Sequence, residues 1–184
     1  MRNLFLAAAV FVIGFAFVAT PAYAQNFEVG AKIGVWGADE LDEAAPLNEE
    51  NDDTAFTFGL VGQYNINEDF GIRLDIEFGT TDNVDSTSFI ISGVYNFMPV
   101  AEGHWSPYGR AGLMISNVDL DYTLAPDYNT EFGFEAAVGV NYTFDQFRIF
   151  GELGYRLIQF DGDELEEDLD MSGFILNIGI MFIF

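Results

Sequence analysis

Large apolar residues recur at every second position in one segment of the chain after another. In residues 70–79, Phe70, Ile72, Leu74, Ile76 and Phe78 fall on one face of an extended strand, and Gly71, Arg73, Asp75, Glu77 and Gly79 on the other. Residues 131–144 split likewise, with Phe132, Phe134, Ala136, Val138, Val140, Tyr142 and Phe144 against Glu131, Gly133, Glu135, Ala137, Gly139, Asn141 and Thr143. At 147–157, Phe147, Ile149, Leu153, Tyr155 and Leu157 oppose Arg148, Glu152 and Arg156. A period of two marks a β-strand, because successive side chains leave opposite faces. Eight such segments are predicted, near 26–36, 54–64, 70–79, 87–97, 107–116, 131–143, 147–159 and 173–184, with no useful helical periodicity between them. Each is close to the ~9–11 residues with which a tilted strand crosses a membrane.

Alternation alone does not say which face is inside. Composition adds a constraint. Residues 1–24 carry a basic start at Arg2, an apolar run from Leu4 to Val18 and a small-x-small ending at Ala22-Tyr23-Ala24, the pattern of a secretory signal cleaved after Ala24. Residues 25–184 then form one domain that holds thirty acidic residues and only five basic ones. Acidic chains with few aromatics remain disordered, but the whole sequence is 50% hydrophobic and contains twenty Phe, sixteen of them after residue 24. Charge is therefore segregated from a large apolar surface. Five scattered cations supply no basic face for nucleic acid, and the absence of Cys excludes disulfides and thiolate metal sites.

The final eleven residues place Phe174, Leu176, Ile178, Ile180, Phe182 and Phe184 on one face. A closing strand of this kind resembles the C-terminal assembly signal of bacterial outer-membrane barrels, here carried by Phe182 and Phe184. Together with the signal segment, eight strands and connections alternately long and short, it makes residues 25–184 resemble the eight-stranded outer-membrane barrels of the OmpX and opacity-protein type. The resemblance implies an all-β fold, an eight-stranded antiparallel up-and-down transmembrane β-barrel in the outer membrane of a Gram-negative bacterium. Its apolar face meets lipid, and closure satisfies the backbone. Both termini are then periplasmic. The connections near 37–53, 80–86, 117–130 and 160–172 lie outside the cell, and those near 65–69, 98–106 and 144–146 in the periplasm. Twenty acids fall in the outer loops, four in the periplasmic turns and six on inward faces, leaving none for the lipid-facing wall. The implied partners are outer-membrane lipid and lipopolysaccharide around the wall, and the barrel-assembly machinery through the C-terminal strand.

Every cation of residues 25–184 sits on an inward face. Lys32, Arg73, Arg110, Arg148 and Arg156 would share the lumen with Glu28, Asp75, Glu77, Glu131, Glu135 and Glu152. These eleven residues admit two readings, a paired network that fills a narrow bore or a charged constriction that selects small ions. Inward glycines, among them Gly139 and Gly179, either leave water-filled space or let the strands curve. The loops near 37–53 and 160–172 are dense in carboxylates, which attract divalent cations weakly, but neither has the spacing of an EF-hand. The lone His104 beside Trp105 has no nucleophile in a matching triad, so no catalytic, cofactor or metal residue is expected. Members of the resembled family serve as structural proteins, adhesins or narrow channels. The expectation here is a non-enzymatic structural or cell-surface role with acidic loops displayed outside, and the alternative is a narrow porin-like channel for small solutes or ions.

Overall fold

The alternating segments form strands at all eight expected places, with ends within four residues of those expected. In chain order they are β1 (Phe27–Ala38), β2 (Thr54–Asn65), β3 (Phe70–Thr80), β4 (Val84–Asn96), β5 (Trp105–Leu120), β6 (Glu131–Phe144), β7 (Phe147–Leu157) and, after a ribbon of β8 (Gln159–Phe160) and β9 (Leu169–Asp170), β10 (Gly173–Ile183). The computed structural model describes residues 27–38, 54–81, 84–98, 104–120, 130–160 and 169–184. The segment 1–24, with Ala22 and Ala24, and most of the acidic connections lie outside the described residues. No helix occurs among the described residues.

Eight strands close into a barrel in the order β1-β10-β7-β6-β5-β4-β3-β2. All neighbours are antiparallel, and β1 completes the circle by pairing with both β2 and β10, in register Lys32↔Gly59 and Lys32↔Gly179. Which face turns inward is settled by burial. Ile33, Phe58, Leu74, Leu113, Val138 and Ile178 are exposed on the outside, whereas Lys32, Arg73, Asp75, Glu77, Arg110 and Glu152 are buried. A wall of this kind is stable in hydrocarbon and not in water.

Aromatic rings gather at the end of the barrel that carries the short turns. Trp105, Tyr142, Phe144, Phe147, Phe182, Phe184 and Phe27 follow one another around this rim, with consecutive centroids 4.9–6.5 Å apart. Rings with one polar edge or a large quadrupole suit a membrane interface. Phe182 and Phe184 thus lie at the seam, where the Phe184 amide donates to the Phe27 carbonyl at 3.0 Å. The tightest turn, between β6 and β7, holds Asp145 at φ 48°, a left-handed conformation that Asp tolerates better than most residues.

Two expectations change at the opposite end. β4 begins at Val84 and β5 runs to Leu120, paired along their whole length, so the connections near 80–86 and 117–130 are shorter than read from the sequence. Asp85 consequently stands exposed on the outward face of β4, an acid on the wall where none was expected. Beyond the apolar belt the strands go on hydrogen-bonding in water, where an outward side chain need not be apolar and the alternation fades. The ribbon β8–β9 likewise pairs Phe160 with Leu169 inside a segment read as loop.

Two of the inward glycines make room for aromatic side chains. A Cβ at Gly139 would stand 2.6 Å from the Tyr108 ring, and one at Gly179 would overlap the Phe150 ring and approach the Ala31 carbonyl to 2.7 Å. At Gly62, on the outer wall, a Cβ meets nothing within 4 Å. Gly179→Ala is therefore expected to destabilise the barrel by ~1–3 kcal/mol through overpacking. Gly62→Ala should leave stability within ~0.5 kcal/mol, both read as urea midpoints of the refolded protein in detergent.

Candidate functional site

The inward faces of β1, β3, β5, β6 and β7 bring eight charged side chains to one level of the bore. Following the ion pairs from Lys32 gives Asp75 at 3.0 Å, then Arg73 at 3.1 Å, Glu152 at 3.2 Å and Arg110 at 2.8 Å. From Arg110 the path continues to Glu135, to Arg156 at 2.6 Å, to Glu77 at 2.6 Å and back to Lys32 at 2.8 Å. The result is a closed ring in which cation and anion alternate. Four positive and four negative groups cancel, and each touches two neighbours of opposite sign.

Two links cross the bore. β3 and β7 stand on opposite sides of the barrel, and Arg73–Glu152 and Arg156–Glu77 join them wall to wall. Glu152 is the hub. Its two oxygens accept from Arg73 Nη1, from Nε and Nη2 of Arg110, from the Tyr108 hydroxyl at 2.8 Å and from Asn177 Nδ2 at 3.1 Å. Stripping water from an ion costs roughly several kcal/mol even in a relaxed protein, and only close pairing with added hydrogen bonds offsets that cost. Such a ring is tolerable because it leaves no member with a single partner.

Apolar side chains close the bore on both sides of the ring. Toward the long loops, Trp36, Met114, Val118, Ile158, Met171 and Ile175 form one buried cluster. Met171 and Ile158 reach it because the chain tucks inward at the root of the β8–β9 ribbon, where the Met171 amide donates to the Ile158 carbonyl at 3.1 Å. Toward the short turns, Val61, Val94, Tyr108, Phe150 and Met181 form the second cluster. The ring is clasped between them by two cation–π contacts. Arg156 lies 4.9 Å from the centroid of Trp36 on one side, and Arg73 lies 4.5 Å from that of Phe150 on the other. Beyond Phe150, Glu28 and Arg148 make a separate pair at 2.6 Å, steadied by Asn65, whose Nδ2 donates to Glu28, and by Thr143, which accepts from Arg148.

Ten of the eleven lumen residues named from the sequence are therefore drawn into ion pairs, eight in the ring and two below it. Glu131 is not. It sits half-buried at the outer end of β6, and no ion pair or side-chain hydrogen bond among the described residues includes it. The strand period placed it on the inward face, but its position at the strand end lifts it clear of the cations. Sequence reasoning passed over Trp36, Tyr108 and Phe150, aromatics on faces assigned to charge. Trp36 shares the parity of Lys32, and Phe150 lies between Arg148 and Glu152 opposite Gly179, which is the signal that marks it. His104 lies exposed at the rim beside Trp105. No group of three or more His, Cys, Asp or Glu able to hold a metal ion occurs among the described residues.

A closed barrel with an apolar outer wall, an aromatic rim and a polar, packed bore defines an integral β-barrel membrane protein. The chain belongs to the family described as the outer membrane protein beta-barrel domain, whose model matches residues 7–182. It is accordingly a protein of the Gram-negative outer membrane. Solved structures of similar fold include the outer membrane protein OprG from Pseudomonas aeruginosa, at 15% identity and a TM-score of 0.64, covering 88% of this chain and 97% of that one. Neisserial surface protein A matches at 17% identity and a TM-score of 0.65, over 86% and 97% of the two chains. The N-terminal β-barrel domain of OprF from P. aeruginosa matches at 17% identity and a TM-score of 0.60, over 87% and 98%. At these identities the likeness is one of fold. No curated protein matches the sequence.

Removing the hub should show what the ring contributes. Glu152→Ala leaves Arg73, Arg110, Tyr108 and Asn177 short of an acceptor and is expected to cost ~3–5 kcal/mol. Glu131→Ala, outside the ring, should stay within ~0.5 kcal/mol. The fluorescence of Trp36, held against Arg156, reports unfolding of the bore in both variants.

Proposed function

We propose that this protein is a non-enzymatic anchor of the outer membrane, whose sealed barrel holds acidic loops at the cell surface. The observation that carries the reading is the ionic ring, braced across the bore and covered by apolar clusters at both ends. A bore filled in this way offers solutes no continuous wet path. The ring and the Glu28–Arg148 pair also take up all five Lys and Arg residues of 25–184, so the loop carboxylates find no cation of their own chain outside the bore. They draw counter-ions from the medium, and divalent cations shared with lipopolysaccharide are the natural source. On this reading residues 1–24 are removed after Ala24 on export, and the assembly machinery grips β10 through Phe182 and Phe184.

Residues 25–184, refolded into planar bilayers, should carry no discrete current. Reproducible conductance steps would instead assign the protein to narrow channels, with the ring as its filter. Deleting residues 39–52 should leave the heat-modifiable gel mobility of the folded barrel unchanged while altering the surface charge of cells that display it, measured as electrophoretic mobility. A deletion that abolished folding would place those residues in the barrel's own stability and sink the anchor reading for that loop.

A further inference from the structure

The two plugs of the bore are built differently. The inner one, with Tyr108, Phe150 and Met181, hangs entirely from strands of the barrel. The outer one borrows Ile158 and Met171 from the strap that leaves the wall after Leu157 and rejoins it at Gly173. The hydrogen bonds that shape this strap run within it. The Met171 amide donates to the Ile158 carbonyl at 3.1 Å, and the Ile158 amide to Ser172 Oγ at 3.2 Å. The Ser172 amide donates to Asp170 Oδ1 at 2.9 Å, and β8 and β9 form a two-stranded sheet apart from the barrel. What keeps Ile158 and Met171 in the bore is the packing of their apolar side chains. Ile158 rests on the bare face of Gly133, its Cβ 3.0 Å from where a Cβ of that glycine would stand. Trp36 Nε1, buried in the same cluster, has no acceptor among the described residues, so the closed plug strands an N–H that opening to water would satisfy.

We propose that the strap is a lid that lifts from the bore while the barrel stays closed, and that Met171, carried out with it, is a site of reversible oxidation by peroxides in the medium. Opening breaks side-chain contacts but no hydrogen bond of the barrel wall, which places it among the local openings that precede unfolding. A lone pair of Met171 Sδ attacks one peroxide oxygen, and the S–O bond forms as the O–O bond breaks. The hydroxide that leaves takes the proton from the new S–OH and departs as water. The product is a polar sulfoxide, costly to return among Ala55, Ile90, Val118 and Ile175, so the oxidised strap stays out and water enters the outer half of the bore. The ionic ring, with Arg156 against Trp36, remains as the floor. Leu at position 171 would seal as well, but only the thioether lets the seal be locked open.

The molecule carries its own control. Met181 is as deeply buried as Met171, 1% exposed against 0%, but it belongs to β10 and lies on the other side of the ring. The test treats the folded protein in lipid vesicles with hydrogen peroxide and follows each methionine by mass-spectrometric peptide mapping. Met171 should oxidise more slowly than the exposed Met98 and roughly tenfold faster than Met181. Trp36, read in a Trp105→Phe background that removes the other tryptophan, should become open to acrylamide quenching as Met171 is consumed. Methionine sulfoxide reductase should restore its shielding. Ser172→Ala, which removes the clasp on Ile158, should speed the oxidation of Met171 severalfold and leave Met181 unchanged. Met171→Leu should hold Trp36 shielded through the same exposure. Oxidation of Met171 no faster than that of Met181 would mean that only the whole barrel opens, and would overturn the proposal. So would a Trp36 that stays shielded once Met171 is oxidised.

Discussion

A charge enclosed by a barrel wall that itself stands in hydrocarbon cannot reach water, so it must find its opposite inside the bore. That constraint organises the rest of this protein. It fixes the inward parity of every Lys and Arg after residue 24, and it requires four cations to meet four anions with none left over. It also explains the smallness of the neighbouring positions. Phe150 and Tyr108 can cover the ring only because Gly179 and Gly139, their partners on the neighbouring strands, carry no side chain. Such an arrangement is brittle toward loss of one member and insensitive to changes outside it, because each ion's environment is set by two specific neighbours.

Much of this was legible in the sequence. Strand number, the apolar-out pattern and the set of inward charges all follow from a period of two, which survives wherever one face of a strand meets lipid. The period fails where the strands leave that environment. Asp85 and Asn117 carry no apolar signature, so the outer ends of β4 and β5 could not be told from loop. Nor does parity reveal pairing. Arg73 and Glu152 are 79 residues apart and meet only because the barrel sets β3 opposite β7. Glu131 shows the converse limit, since its parity is right and its height is not. The covering aromatics were hidden by the same logic, for a pattern that reads apolar as outward has no place for Trp36 or Phe150 within.

The division of charge has an electrostatic sequel. The bore is neutral as a whole, so it projects little field, while the acids of the loops act undiluted by any Lys or Arg of the same chain. The long-range character of the molecule and its internal cohesion are thus handled by separate sets of carboxylates, and either set can vary without disturbing the other.

The seam between β1 and β10 joins Glu28 to Ile183, strands that lie almost the whole described chain apart. Every other barrel contact between adjacent strands can form as a local hairpin, at small loop-closure cost, before this one. Until β10 is in place, both β1 and β7 keep a bare edge of unpaired amides and carbonyls. A chain cut short anywhere before β10 therefore never acquires an edgeless wall, so closure of the sheet is itself a measure of the polypeptide's length.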